Sequence, residues 1–172
     1  MKSSILFVSA LLLSSIPATA QTVTDAQIAS IVVTANQVDV DAGRLAASSS
    51  KNADVRKFAE LMVRDHTDVN RQAVALVTRL KVTPEENETS RSLAAGGEKN
   101  VAALKALKGA AFDKSYVDHE VAYHQAVLDA VDTTLIPNAK NDELKALLVK
   151  VRPAFVAHLE HAKHLAGALG TK

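Results

Sequence analysis

The chain has 172 residues, with 20 Lys and Arg against 19 Asp and Glu, and no Cys. Without Cys it has no disulfide, no thiolate chemistry and no cysteine for a lipid anchor, so its stability has to come from packing. Balanced charge and few aromatics (four Phe, two Tyr, no Trp) argue against nucleic acid, an anionic membrane or a stacking groove as the main partner.

Lys2, an apolar run over 5–16 and Ala18-Thr19-Ala20 fit a signal peptide with a small-x-small cleavage site. The run falls short of the roughly 20 apolar residues that span a bilayer, so an uncleaved anchor is the weaker reading. Residues 1–20 are thus expected to be removed. Residues 21–172 then form one periplasmic or secreted domain with no transmembrane segment. Without Lys2 the charges balance at 19 of each sign.

Thr24-Asp25-Ala26-Gln27 has the form of a capping box and predicts a helix to about residue 49. Its stripe is Ile28, Ile31, Ala35, Val38, Ala42 and Leu45, spaced three and four apart. Ser48 to Lys51 read as a turn. Asn52 caps a second helix to about residue 80, with the stripe Ala59, Met62, His66, Val69, Ala73, Leu76 and Leu80. Thr83-Pro84-Glu85-Glu86 predicts a third, shorter helix over 84–107, kinked or frayed at Gly96-Gly97 and ended by Gly109. A fourth helix over 110–135 carries Val117, Glu120, His124, Val127 and Val131, and Pro137 stops it. Asn141 caps a last helix whose stripe includes Leu148, Val151, Phe155, His158 and Ala162, with a bend expected at Pro153. The expected fold is all-α: a ferritin-like four-helix bundle with an extra shorter helix between the second and third long helices.

Three of these stripes hold a histidine where Leu or Val would be the default: His66, His124 and His158. A buried imidazole left without hydrogen bonds costs about 1–3 kcal/mol, so something has to satisfy these rings. Asp65 adjoins His66, Glu120 lies one turn before His124, and Asp39 sits at the edge of the first stripe. Imidazole and carboxylate suit copper, iron, zinc or manganese, and a thioether at Met62 would favour copper(I). Facing helices of a bundle are a known platform for such sites. At about 1.5 Å per residue, the groups fall near mid-bundle but offset by about 6–9 Å within each hairpin.

Other chemistry finds less support. A carboxylate-bridged di-iron centre would need Glu-x-x-His on two helices, and this chain lacks it at the required places. There is no Gly-x-Ser-x-Gly elbow, and no Gly-Lys-Ser/Thr follows Gly96-Gly97. Asn87-Glu88-Thr89 matches a glycosylation sequon by chance. His161 borders the core, while His164 and His119 belong to solvated faces. The competing reading makes the core histidines a purely structural hydrogen-bond network with nearby carboxylates.

Gly43-Arg44-Leu45-Ala46, Val55-Arg56-Lys57-Phe58-Ala59 and Met62-Val63-Arg64-Asp65-His66-Thr67 resemble the bacterial family called domain of unknown function 4142. Phe112-Asp113-Lys114-Ser115-Tyr116, His124 and His158-Leu159 fit the same pattern, so the resemblance covers about 24–168. It implies a ferritin-like helical fold and export, sometimes under an outer-membrane label, and brings no activity or ligand. Family members often carry Glu where this chain has Asp39, which retracts that carboxylate by one methylene. The combined expectation is an exported binding or stress-related protein, not evidently an enzyme. A transition metal would be held by His66, His124 and His158, with Asp39, Glu120 or Asp65 as further or supporting groups. The sequence leaves the partner and homo-oligomerisation open.

Overall fold

The computed structural model describes residues 22–170, and the expected signal segment 1–20 lies outside the described residues. Among the described residues there are helices and no strands. The first helix, α1, spans Asp25–Ser49. Its capping box forms as the sequence implies: the Gln27 amide donates to the Thr24 hydroxyl and the Thr24 amide to the Gln27 side chain, both at 3.2 Å. Helix α2 spans Ala53–Arg79, and the Asn52 side-chain Oδ1 accepts from the Asp54 amide at 2.9 Å. Such a cap contributes about 1 kcal/mol.

The third helix starts later than the sequence suggests. Helix α3 spans Glu88–Lys105, not 84–107. The cap is Asn87, whose side chain accepts from the Ser90 amide at 2.9 Å while the Ser90 hydroxyl accepts from the Asn87 amide at 3.0 Å. Thr83-Pro84-Glu85-Glu86 instead stays outside the helix, tied to α1 by the Glu85 amide donating to the Ala26 carbonyl at 3.0 Å. The Gly96-Gly97 pair does not break α3. A Cβ on Gly97 would stand 2.7 Å from Val38 Cγ2, so this glycine lets α3 press directly onto α1.

Helix α4 spans Gly109–Ala130, and a π-helical turn, Val131–Leu135, and a short segment, Ile136–Asn138, continue it. Gly109 opens α4 with φ +58°, a left-handed conformation that favours glycine, so it starts this helix and does not simply end the previous one. Helix α5 spans Asp142–Gly170, with the Asn141 oxygen accepting from the Glu143 and Leu144 amides at 3.0 Å. Pro153 lies inside it without ending it.

Helices α1 and α2 pair along their lengths, as do α4 and α5, and the two hairpins meet chiefly where α2 packs on α5. The opposite seam, between α1 and α4, is looser, and α3 lies over α1 beside it. The core divides into two apolar clusters. One gathers Ile28, Val32, Leu76, Leu128, Leu148 and Phe155; the other gathers Ala46, Phe58, Met62, Phe112, Tyr116 and Leu165. Between the two clusters, α1, α2, α4 and α5 each bury at least one polar side chain. No helix among the described residues is long and apolar enough to cross a membrane.

Candidate metal centre

Asp39 on α1, His66 on α2, Glu120 and His124 on α4, and His158 on α5 make up this polar layer, each at most 4% exposed. The rings of His66, His124 and His158 are mutual neighbours, with centroids 5.2–5.5 Å apart. A nitrogen from each lies within 4.8 Å of one from each other ring. The vertical offset estimated from helix lengths is therefore absent. Counting from turns assumes straight helices of equal start height, and the caps and the inserted π turn set different heights.

Asp39 is not at the edge of the core. It is 1% exposed, and its Oδ2 stands 3.0 Å from His66 Nε2 and 3.5 Å from His124 Nε2. The reason is α3. By covering one flank of α1, it buries a second apolar line through Val38 and leaves Asn36 and Asp39 on the line facing the centre. A carboxylate oxygen of Asp39, one of Glu120 and a nitrogen of His124 also lie within 4.8 Å of one another.

The outer nitrogen of each imidazole has an acceptor, which sets its tautomer. The Asn36 amide nitrogen donates to the Val32 carbonyl at 2.7 Å, so its oxygen is the atom that faces His66 Nδ1, also at 2.7 Å. His66 therefore carries its proton on Nδ1. His124 Nδ1 donates to the Glu120 carbonyl at 3.0 Å. His158 Nε2 donates to Asp65 Oδ2 at 2.9 Å, while Arg64 Nε holds the other Asp65 oxygen at 2.9 Å. The remaining nitrogens, His66 Nε2, His124 Nε2 and His158 Nδ1, are buried without a hydrogen-bond partner, as are both Asp39 oxygens, Glu120 Oε2 and the Tyr116 hydroxyl. Buried polar atoms are nearly always satisfied, so this many in one place make the layer a candidate binding site.

Electrostatics follows from burial. Loss of solvent and the neighbouring Glu120 hold the Asp39 carboxyl well above its usual range, against the pull of His124. Burial pushes the Glu120 carboxyl up to about 8, although the neighbouring Asp39 carboxyl and Tyr116 hydroxyl work the other way. The Tyr116 phenol is raised for the same reason, with Glu120 and Asp39 adding to it. Burial, then the neighbouring His124 and His158, keeps His66 well below its ordinary value. Burial also lowers His158, with the Asp65 hydrogen bond opposing. Burial thus favours the neutral forms of His66, His158, Asp39 and Glu120, and a cation held there would displace the carboxyl protons.

The structure brings together His66, His124, His158, Asp39 and Glu120. It places Asp65, 28% exposed on its side chain, behind His158 on the solvent side. Met62 is buried in the apolar cluster around Phe58. His161 and His164 are exposed, the former with its ring edge-on to Phe58 at 5.0 Å. His119 is partly buried, stacked on Tyr123 at 5.6 Å. Sequence reasoning missed Asn36 and Tyr116. Both lie one helical step from a residue it did select, three before Asp39 and four before Glu120, and that spacing was the available signal.

The chain belongs to the family described as Domain of unknown function (DUF4142), whose profile matches residues 12–165. No curated protein and no solved structure matches it.

Proposed function

We propose that this protein is an exported, ferritin-like four-helix bundle, with α3 as the added helix, that binds one first-row transition-metal ion at mid-bundle. His66 Nε2, His124 Nε2, His158 Nδ1 and an Asp39 oxygen are the ligands. Asn36, the Glu120 carbonyl and Asp65 orient the three rings from behind, as the outer partners of metal-bound histidines commonly do. One observation carries the reading: all three inner imidazole nitrogens and the Asp39 oxygens are buried without partners while all three outer nitrogens are satisfied.

Three imidazoles and a carboxylate form a borderline donor set that suits zinc, iron(II) or copper(II) better than it suits magnesium or calcium. Glu120 and Tyr116 stand beside Asp39 and would hold its free oxygen or a metal-bound water. Export rests on the leader-like residues 1–20 and the Cys-free composition.

The purely structural alternative also has an observation in its favour. A protonated Asp39 can donate to His66 Nε2 across the 3.0 Å gap. One proton cannot serve three lone pairs, however, and His124 Nε2 and His158 Nδ1 would stay unpaired at a cost of about 1–3 kcal/mol each. The test is elemental analysis of protein purified from its native compartment, with melting measured before and after adding zinc, iron, copper or manganese. The expected result is one equivalent of metal per chain and a gain near 2.7 kcal/mol at about a hundredfold excess over Kd. H124A should abolish both. Metal-free protein whose melting ignores all four ions would overturn the proposal.

A further inference from the structure

Beside the imidazoles, on the α1–α4 seam, lies a cavity of about 140 Å³. Its walls are hydrocarbon, chiefly Ile31, Val32, Val127, Val131, Leu135 and Phe155, and polar side chains meet it mainly at one end, where Asp39, His66 and His124 form its floor. The other polar groups along it are already engaged. The Asn36 amide is bonded at both ends, and the Tyr123 hydroxyl donates to the Ala35 carbonyl at 2.9 Å. Thr89 on α3 and Ala126 on α4 also line it and are exposed, which sets its mouth between these two helices.

Two features of the chain hold this space open. The α1–α4 seam is the loosest contact between neighbouring long helices. The π turn Val131–Leu135 adds a residue to the turn of α4 that walls the cavity, and both Val131 and Leu135 contribute to the wall. A π turn trades regular helical bonding for a local bulge and is frequent at functional sites.

A water molecule needs two to four polar partners, and the apolar length of this cavity provides none. Hydrocarbon-lined cavities of about 150 Å³ stay dry and take up xenon or benzene. We propose that this cavity is a binding site for a small neutral apolar molecule, of the dioxygen or nitric oxide class, admitted between α3 and α4 and held against the imidazole floor. Binding in the cavity stands on its own. Presentation of the guest to a metal rests on the metal-site reading above.

The experiment has two arms so that the two readings fail separately. The first uses metal-free protein under xenon pressure, read by the xenon NMR shift and by a xenon peak in crystals. A single xenon in the cavity is expected, absent in A130F, because Ala130 lines the cavity and a phenyl ring there would occupy it. No xenon in the folded wild-type protein overturns the proposal, whatever the variant does. The second arm loads the protein with iron(II), adds nitric oxide and follows the paramagnetic iron–nitrosyl signal. Nitric oxide should reach the metal in wild type and be slowed at least tenfold in A130F. Unchanged access in a folded, iron-loaded A130F overturns the presentation step. Protein that takes no iron sinks the metal site alone, and the xenon result still decides the cavity.

Discussion

The two apolar clusters on either side of the polar layer come from the same four long helices, yet they are packed to different standards. Phe58, Met62 and Tyr116 have no exposed surface and no buried member of their cluster exceeds 5%, whereas Leu76, Val151 and Leu147 in the other cluster keep 7–9%. The first cluster is closed by small residues. A Cβ on Gly43 would stand 3.1 Å from the Ala59 carbonyl, so α1 and α2 touch backbone to backbone there. The second holds the 140 Å³ cavity and the π turn. The difference shows how one bundle can be rigid and accessible at once. The dense half fixes the helix positions, and the loose half gives the buried layer a way in.

The largest effect should come from probing that density directly. F58A is expected to cost about 3–5 kcal/mol of unfolding free energy, since its surroundings cannot collapse. L135A, beside existing empty space, should cost roughly 1 kcal/mol less. Equal losses by chemical denaturation would show that the two halves do not differ.

The second test concerns the layer between them. In metal-free protein, folded Glu120 keeps its proton up to about pH 8 while the unfolded chain releases it near 4.5. Stability must therefore fall as pH rises through that window, and Asp39 acts in the same direction. His66 and His158, lowered on folding, act oppositely: the unfolded chain gains their protons below about pH 6.5, so stability falls there as pH drops. Between pH 6.5 and 8 the carboxyls dominate. E120Q should flatten this limb by about 2 kcal/mol, read as denaturation midpoints across pH. An unchanged slope would remove Glu120 from the account.

The smallest effect lies at the rim. D65N removes the carboxylate that orients His158 without touching the inner nitrogens. It should weaken metal binding about tenfold by calorimetry and leave stoichiometry at one. Loss of stoichiometry would instead make Asp65 a direct ligand.

Much of this was readable from residue order alone. Capping at Thr24, Asn52 and Asn141 and the three-four spacing place the four long helices, because those signals are local. The third helix was misplaced because Thr83-Pro84-Glu85-Glu86 is a good helix start on its own terms, and a contact from Glu85 to Ala26, far away in sequence, overrides it. The imidazoles stood out as polar residues in apolar stripes. Asp39 reads as an edge position because the Val38 line looks like the bundle-facing stripe; α3 covers that line, which Gly97 permits and periodicity within α1 cannot reveal, while Asp39 faces the imidazoles. The cavity left no trace in the pattern, since its lining reads as ordinary core.

The polar layer draws its groups from α1, α2, α4 and α5, and His158 belongs to the last. During synthesis, then, a growing chain has displayed Asp39, His66 and His124 long before the third ring exists. The docking of α5 is also what joins the chain's distant parts, since Asp25 at the start of α1 accepts from the amides of Lys140 and Asn141 just ahead of it. If the layer binds a cation as proposed, capture has to follow completion of the fold, and a nascent or unravelled polypeptide would acquire its ion wherever it finally settles.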